Sequence, residues 1–390
     1  MSHHVFLSND LIVEVLSFLN VKSLMRFKSV SKLWNILISN PTFVKLHYQR
    51  SASNMHLALT SQRGFLAFSF ITFPLNHVIE NPSITIPINP YNPLEDINDC
   101  SLIIGSCNGL LCLRGFSFAI ELEQQNTWFR IWNPATNTIS RRLGYRTCIL
   151  SRLKYTFGYD NSTETYKVVV LSPTEVHILN LRDNSWRTIS SFPPFHHVAL
   201  KPGCRVNEGV YLSGTVNWFT IQSNVLGYDY YIFQRNNITV DQFVIISLDL
   251  GTETYMHLSL PRGVDEVPCV EPTIAVLMDC LCFSHNLNGT HFVIWKMAEF
   301  RVEQSWTQFL KISFQNLQVY DDKYSSYDWR FFRLFPLCLV ENGRTLVLTS
   351  SDLDHAIFYN LRDNRVRKTS DNKIIWVVAK NYVESLASIC

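Results

Sequence analysis

The side chains that could do chemistry are scattered along the chain. Asp160, Asp183, Asp249 and Asp363 each fall in a polar turn between apolar runs. Converging carboxylates could serve acid–base catalysis. An aspartate in a turn more commonly accepts hydrogen bonds from its own backbone, and that is the role expected here. His196 and His197 follow Pro193-Pro194-Phe195; adjacent histidines on a loop rarely chelate one metal, so a solvated turn is expected. The ten cysteines include no Cys-x-x-Cys pair, and free, largely buried thiols are the expected state. There is no Gly-rich phosphate loop, no Gly-x-Ser-x-Gly elbow and no His-Glu-x-x-His. Neither a cofactor nor a catalytic or metal-binding residue is expected. An enzyme would have to assemble its site from residues far apart in sequence.

Aromatic residues give a different signal. Residues 221–240 carry Tyr228, Tyr230, Tyr231 and Phe233, and residues 316–330 carry Tyr320, Tyr324, Tyr327 and Trp329. Large, stiff side chains on long loops suit protein recognition. The competing reading is that they lengthen strands or fold back on the core. Trp132, Trp186, Trp218, Trp295 and Trp306 sit in or beside strand-like runs and are expected to pack between sheets.

Composition narrows the setting. The 390 residues carry a net charge of +2 and are 47% hydrophobic. That is enough apolar material for a large core, with no general attraction to nucleic acid or anionic lipid. The basic residues Lys22, Arg26, Lys28 and Lys32 are expected to form a solvated helix face. No signal segment opens the chain and no apolar run approaches ~18 residues. A soluble intracellular protein, cytoplasmic or nuclear, is expected, with no membrane partner.

Two kinds of element must position these residues. Near the N-terminus the period is helical. Leu11, Ile12, Val15, Leu16 and Leu19 share one face, then Leu24, Phe27 and Val30, then Leu33, Trp34, Leu37 and Ile38. Ser8, Ser23 and Ser31 are the expected caps, and Pro41 the expected stop. Below ~40 residues such a module seldom holds together alone, so its excess apolar surface must dock on something, either the remainder of its own chain or a partner. Leu-x-x-Asp-Leu-Ile-Val-Glu-Val-Leu, then Val-Lys-Ser-Leu-Met-Arg-Phe-Lys-Ser-Val-Ser-Lys-Leu-Trp, then Pro-x-Phe, resembles an F-box over residues 5–45. The resemblance implies a Skp-type adaptor as partner and, through it, cullin and RING subunits. Carried over by position, Leu7, Leu11, Ile12, Leu16, Val21, Leu24, Phe27 and Val30 would make the adaptor contact or support it. Val15, Leu19, Leu33, Trp34 and Leu37 would pack the helices. Ser8 and Asn20 stand where the family usually has proline.

After a connector at 47–56 the period changes to alternation. Tight hairpins such as Cys107-Asn108-Gly109-Leu110 and Leu212-Ser213-Gly214-Thr215 alternate with polar turns such as Trp132-Asn133-Pro134-Ala135-Thr136-Asn137 and Leu181-Arg182-Asp183-Asn184. The unit recurs every ~50–65 residues, about the length of a four-stranded propeller blade. Five units fit between about 100 and 370. Pairing the stretch around Leu57–Leu59 and Phe65–Phe68 with the tail at 374–386 would close a ring of about six blades. A β-sandwich is the alternative. Phe-Gly-Tyr-Asp, Thr-Tyr-Lys-Val-Val, Gly-Thr-Val-Asn-Trp and Tyr-Val-Glu-Ser-Leu, in this order, resemble the kelch-like F-box-associated interaction domain of plant F-box proteins over about 100–386. The expected organisation is an F-box at 1–46, a connector with first strands at 47–99 and an all-β domain at 100–390. The resemblance implies a non-catalytic receptor that brings an unknown client to a ubiquitin ligase. The alternative is an interaction protein that uses the adaptor outside a ligase.

Overall fold

The computed structural model describes the chain except residues 1–7, 52–53, 63–67, 82–98, 120–123, 150–152, 173–174, 190–208, 223–237, 320–332, 341–342, 351–354, 370–373 and 389–390. Four helices come first: α1 (Asn9–Leu16), α2 (Val21–Phe27), α3 (Lys32–Ser39) and α4 (Pro41–Arg50). Each starts on a polar side chain that accepts from an otherwise orphaned amide. Ser8 takes the Leu11 N–H at 3.3 Å, Asn20 that of Ser23 at 2.8 Å, Ser31 that of Trp34 at 3.1 Å and Asn40 that of Thr42 at 2.8 Å.

Three local expectations are corrected. Pro41 ends α3 but also opens α4, because at the first helical position its missing N–H forfeits nothing and its fixed φ fits. The expected connector at 47–56 is helical through Arg50 and strand from Met55. The cap of α2 is Asn20, not Ser23. Asn20 thereby satisfies one of the orphaned amides of α2, and such a cap contributes about 1 kcal/mol.

The strands form a closed six-bladed propeller, not a sandwich. β1 (Met55–Gln62) and β2 (Phe68–Pro74) come first, followed by a short helix, α5 (Leu75–Glu80). Blade one holds β3 (Leu102–Cys107), β4 (Leu110–Ala119) and β5 (Gln124–Asn133). Its outer position is shared by β6 (Thr138–Ile139) and β7 (Leu143–Ile149), which pair with opposite ends of β5. Blade two is β8 (Lys154–Asp160), β9 (Thr165–Leu171), β10 (Val176–Asn180) and β11 (Ser185–Ile189). Blade three is β12 (Val210–Leu212), β13 (Thr215–Ile221), β14 (Phe243–Asp249) and β15 (Tyr255–Ser259). Blade four is β16 (Thr273–Leu277), β17 (Cys280–Leu287), β18 (His291–Met297) and β19 (Trp306–Ser313). Blade five is β20 (Leu334–Val340), β21 (Thr345–Ser350), β22 (Ile357–Asn360) and β23 (Val366–Lys368). Blade six is made by β24 (Lys380–Val383), which pairs with β1 in the register Leu57↔Asn381.

The closing strand is thus Lys380–Val383. Of the tail expected to be strand-like, Tyr382 and Val383 lie in β24, 384–386 is not strand, and 374–378 is instead a bridge at Ile374 and one helical turn at Trp376–Val378.

Alternation along each strand sends successive side chains to opposite seams. Leu57 and Leu59 pack with Val347 and Phe358 of blade five, while Ala58 packs with Ile103 and Leu111 of blade one. Likewise Val168 joins Phe129 and Phe157 at the first seam, and Val169 joins Val216 and Trp218 at the next. Phe219 with Phe283, and Phe292 with Leu346, fill the following two.

The turns behave as their residues dictate. Asn108 and Gly109 (φ +50° and +79°) and Ser213 and Gly214 (+48° and +82°) make the hairpins expected. Gly109 is constrained twice, since a Cβ there would lie 2.6 Å from the Val383 carbonyl oxygen. The four turn aspartates each accept from their own backbone. Asp160 takes Ser162 N–H, Asp183 takes Ser185, Asp249 takes Gly251 and Asp363 takes Arg365, at 2.8 to 3.1 Å.

His285 lies in blade four, where Trp295 Nε1–H donates to its Nε2 at 3.3 Å. Burial pulls its pKa down to about 4, so the fold favours the neutral ring. A depressed histidine stabilises fully above its unfolded pKa near 6.5 and loses that contribution as pH falls through the folded value. Stability is therefore expected to drop by about 2–3 kcal/mol between pH 6.5 and 4. Urea titrations across that range should show His285→Gln with the flatter profile; identical slopes would refute the assignment.

Candidate functional site

The four helices sit at one end of the ring. Within blades one to five the first-to-second and the third-to-fourth connections lie at the same end, because the strands alternate in direction. Tyr48 and Gln49 of α4 lie there, lining a central channel of about 670 Å³ with Asn108, Ser213, Asp279 and Asn381. Burial, then Cys107 and Asp279 nearby, push the Tyr48 hydroxyl up to about 12. His47 Nε2 lies 2.8 Å from the Leu19 carbonyl, and Arg50 pairs with Glu14 at 2.9 Å. These contacts bind α4 to α1 and to the turn after it.

The apolar residues of the helices divide into two groups. Leu16, Val21, Leu24, Ile38 and Phe43 are buried together, with Ile12, Leu19, Phe27, Trp34 and Leu37 partly covered against them. Phe27 and Trp34 meet edge to face, centroids 5.2 Å apart. The second group faces outward. Leu11 is 54% exposed, Val15 62%, Phe18 70%, Val30 64%, Leu33 52% and Ile36 69%.

This division corrects part of the expected assignment. Val15 and Leu33, expected to pack the helices, are exposed. Leu16, Val21 and Leu24, expected at or behind the contact, are inside the module and can act only as support. Leu7 lies outside the described residues. Phe18 and Ile36 were not singled out from the sequence. The signal was present: Phe18 extends the Leu11–Val15 stripe by three residues, and Ile36 follows Leu33 by three. Of the basic residues, Lys22, Arg26 and Lys32 are exposed as expected. Lys28 is partly covered, and burial lowers its pKa.

The aromatic candidates Tyr228, Tyr230, Tyr231, Phe233, Tyr320, Tyr324, Tyr327 and Trp329 all lie outside the described residues. The described residues that flank them can be placed. Ile221 ends β13 and Phe243 begins β14; Ser313 ends β19 and Leu334 begins β20. By strand direction all four are at the end of the ring away from α4. Among the described residues, no group of three or more His, Cys, Asp or Glu could hold a metal. No described helix is long and apolar enough to cross a membrane.

An F-box domain model matches residues 6–46, and an F-box associated beta propeller domain model matches residues 63–389. The chain therefore belongs to the F-box proteins that carry an F-box associated β-propeller. Two relatives come from Arabidopsis thaliana. An F-box/kelch-repeat protein is 28% identical over 78% of this chain and 78% of its own length. The F-box protein CPR1 is 24% identical over 77% of this chain and 71% of its own. Among solved structures, TolB from Acinetobacter baumannii superposes with a TM-score of 0.45 at 8% identity, over 86% of this chain and 70% of that one.

Proposed function

We propose that this protein is the substrate-recognition subunit of a Skp–cullin–F-box ubiquitin ligase. The observation that carries the reading is the outward apolar group on α1 and α3, Leu11, Val15, Leu33 and Ile36, on a module of the F-box family. Such a surface is costly to leave in water and suits a partner that covers it. The adaptor would bind there and link the chain to cullin and RING subunits. The aromatic segments 221–240 and 316–330 would hold the client at the opposite end. The chain would act by raising the client's effective concentration near the charged ubiquitin carrier, with no nucleophile, metal or cofactor of its own. It would work in the cytoplasm or nucleus.

The test is affinity capture of the full chain from plant cells with the proteasome inhibited, beside a Leu11→Asp, Val15→Asp twin. Adaptor and cullin are expected only with the unsubstituted chain, and client candidates with both. Absence of adaptor from both would overturn the ligase reading.

A further inference from the structure

The core of the adaptor-side module contains one residue from the opposite end of the sequence. Leu386, only 6% exposed, packs among Leu16, Val21, Leu24, Ile38 and Phe43. The segment that carries it, 384–388, follows the closing strand β24 and is itself fixed to blade one. Fully buried Asn133 donates from Nδ2 to the Ser385 carbonyl at 3.0 Å and the Ala387 carbonyl at 2.9 Å. Its Oδ1 accepts from the Ala135 amide at 3.0 Å, and Ala135 also packs on the helical core. Ala387 packs into the seam between blades one and two. Tyr48 and Gln49 of α4 line the channel mouth.

We propose that Leu386 is a positioning residue: segment 384–388 completes the core of the F-box helices and fixes their angle to the propeller. This rests on the adaptor-and-client reading above for its importance, since a receptor must hold its two ends at a set distance. A leucine side chain inserted between two rigid bodies sets their relation through close packing, which tolerates little displacement. A flexible tether would leave the adaptor-binding face free to turn, and with it the client's place relative to the ubiquitin carrier.

The experiment is hydrogen exchange on the full chain without partners. Leu386→Ala is expected to speed exchange of the protected amides of α2 and α3 by tenfold or more, with blades two to four unchanged. Leu386→Met, which conserves volume, is expected to restore protection. Should the alanine variant fail to fold, Leu386→Val is read in the same way, with a smaller increase. Unchanged α2 and α3 exchange would overturn the proposal. So would a rise shared equally by all six blades, which would assign Leu386 to ring stability alone. The free chain needs no adaptor here, so a failure of adaptor capture would reject the proposed function and leave this result standing.

Discussion

Replacing Leu11 and Val15 together by aspartate is expected to weaken adaptor binding at least ~100-fold while leaving the thermal midpoint unchanged. Each side chain is more than half exposed, so neither contributes much to the core. The few side chains that dominate a protein interface each cost about 2 kcal/mol or more when removed, and a buried aspartate adds an unpaired charge. Leu16→Ala provides the contrast. Leu16 is 2% exposed, and its truncation should destabilise the module by about 2–5 kcal/mol. Any loss of adaptor binding would then follow from unfolding. Titration calorimetry against a purified Skp-type adaptor, with circular dichroism melts of each variant, separates the two. Undiminished binding by the double aspartate variant would place the adaptor elsewhere.

The second large effect is expected at the seam between blades two and three. Lys167 Nζ is 2.9 Å from Asp160 Oδ2 and 3.4 Å from Glu253 Oε1, and donates to the Leu250 carbonyl at 2.6 Å. Both Lys167 and Asp160 have almost no exposed side-chain surface. Burial raises the Asp160 pKa, but hydrogen bonds from Ser162, Thr163 and Lys167 outweigh it and hold the carboxyl far below the usual carboxylate range. Its contribution is thus present above the unfolded pKa near 3.9 and is lost only as pH falls toward the folded value. Lys167→Met leaves the carboxylate buried without its cation and should cost about 3–5 kcal/mol. Adding Asp160→Asn should recover much of that. Urea midpoints at pH 7 measure both; a loss under 1 kcal/mol for the single variant would show that the pair is not coupled through a dry interior.

The sequence and the fold agree where local chemistry decides. Ser8 and Ser31 cap as their positions suggest, and the Asn108-Gly109 turn adopts positive φ because both residue types tolerate it. Helical period was less informative about burial. It finds that Leu11, Val15 and Leu16 belong to one apolar arc, but not which of them faces the module's own core and which faces a partner. That division depends on how α1 meets α2, α3 and α4, a tertiary fact. α4 itself was hidden because Pro41 reads equally as a stop and as a start. Its buried positions Phe43 and His47 are four apart, but only one of them is apolar. The ring closure could be argued from the sequence because an unpaired strand edge needs a partner. The exact strand could not, since 374–378 is the segment richer in β formers while Lys380 and Asn381 are poor ones, yet the register with β1 selects Lys380–Val383. The split outer edge of blade one left no local mark that separates β6 from β7.

The pairing of β1 with β24 also decides when the ring can close. The partners Leu57 and Asn381 are separated by nearly the whole propeller, so this contact is highly non-local, and non-local pairings form slowly. Blades one to five can each assemble from nearby strands, but the ring stays open at its sixth position until β24 arrives. The same stretch then delivers Leu386 to the helices. The helices therefore depend on a segment more than 300 residues downstream of them, and a chain cut before Lys380 would carry an F-box sequence without the support of the closed ring. Ring closure and the seating of the helical core are therefore expected to occur as one event, because one short segment carries both contacts.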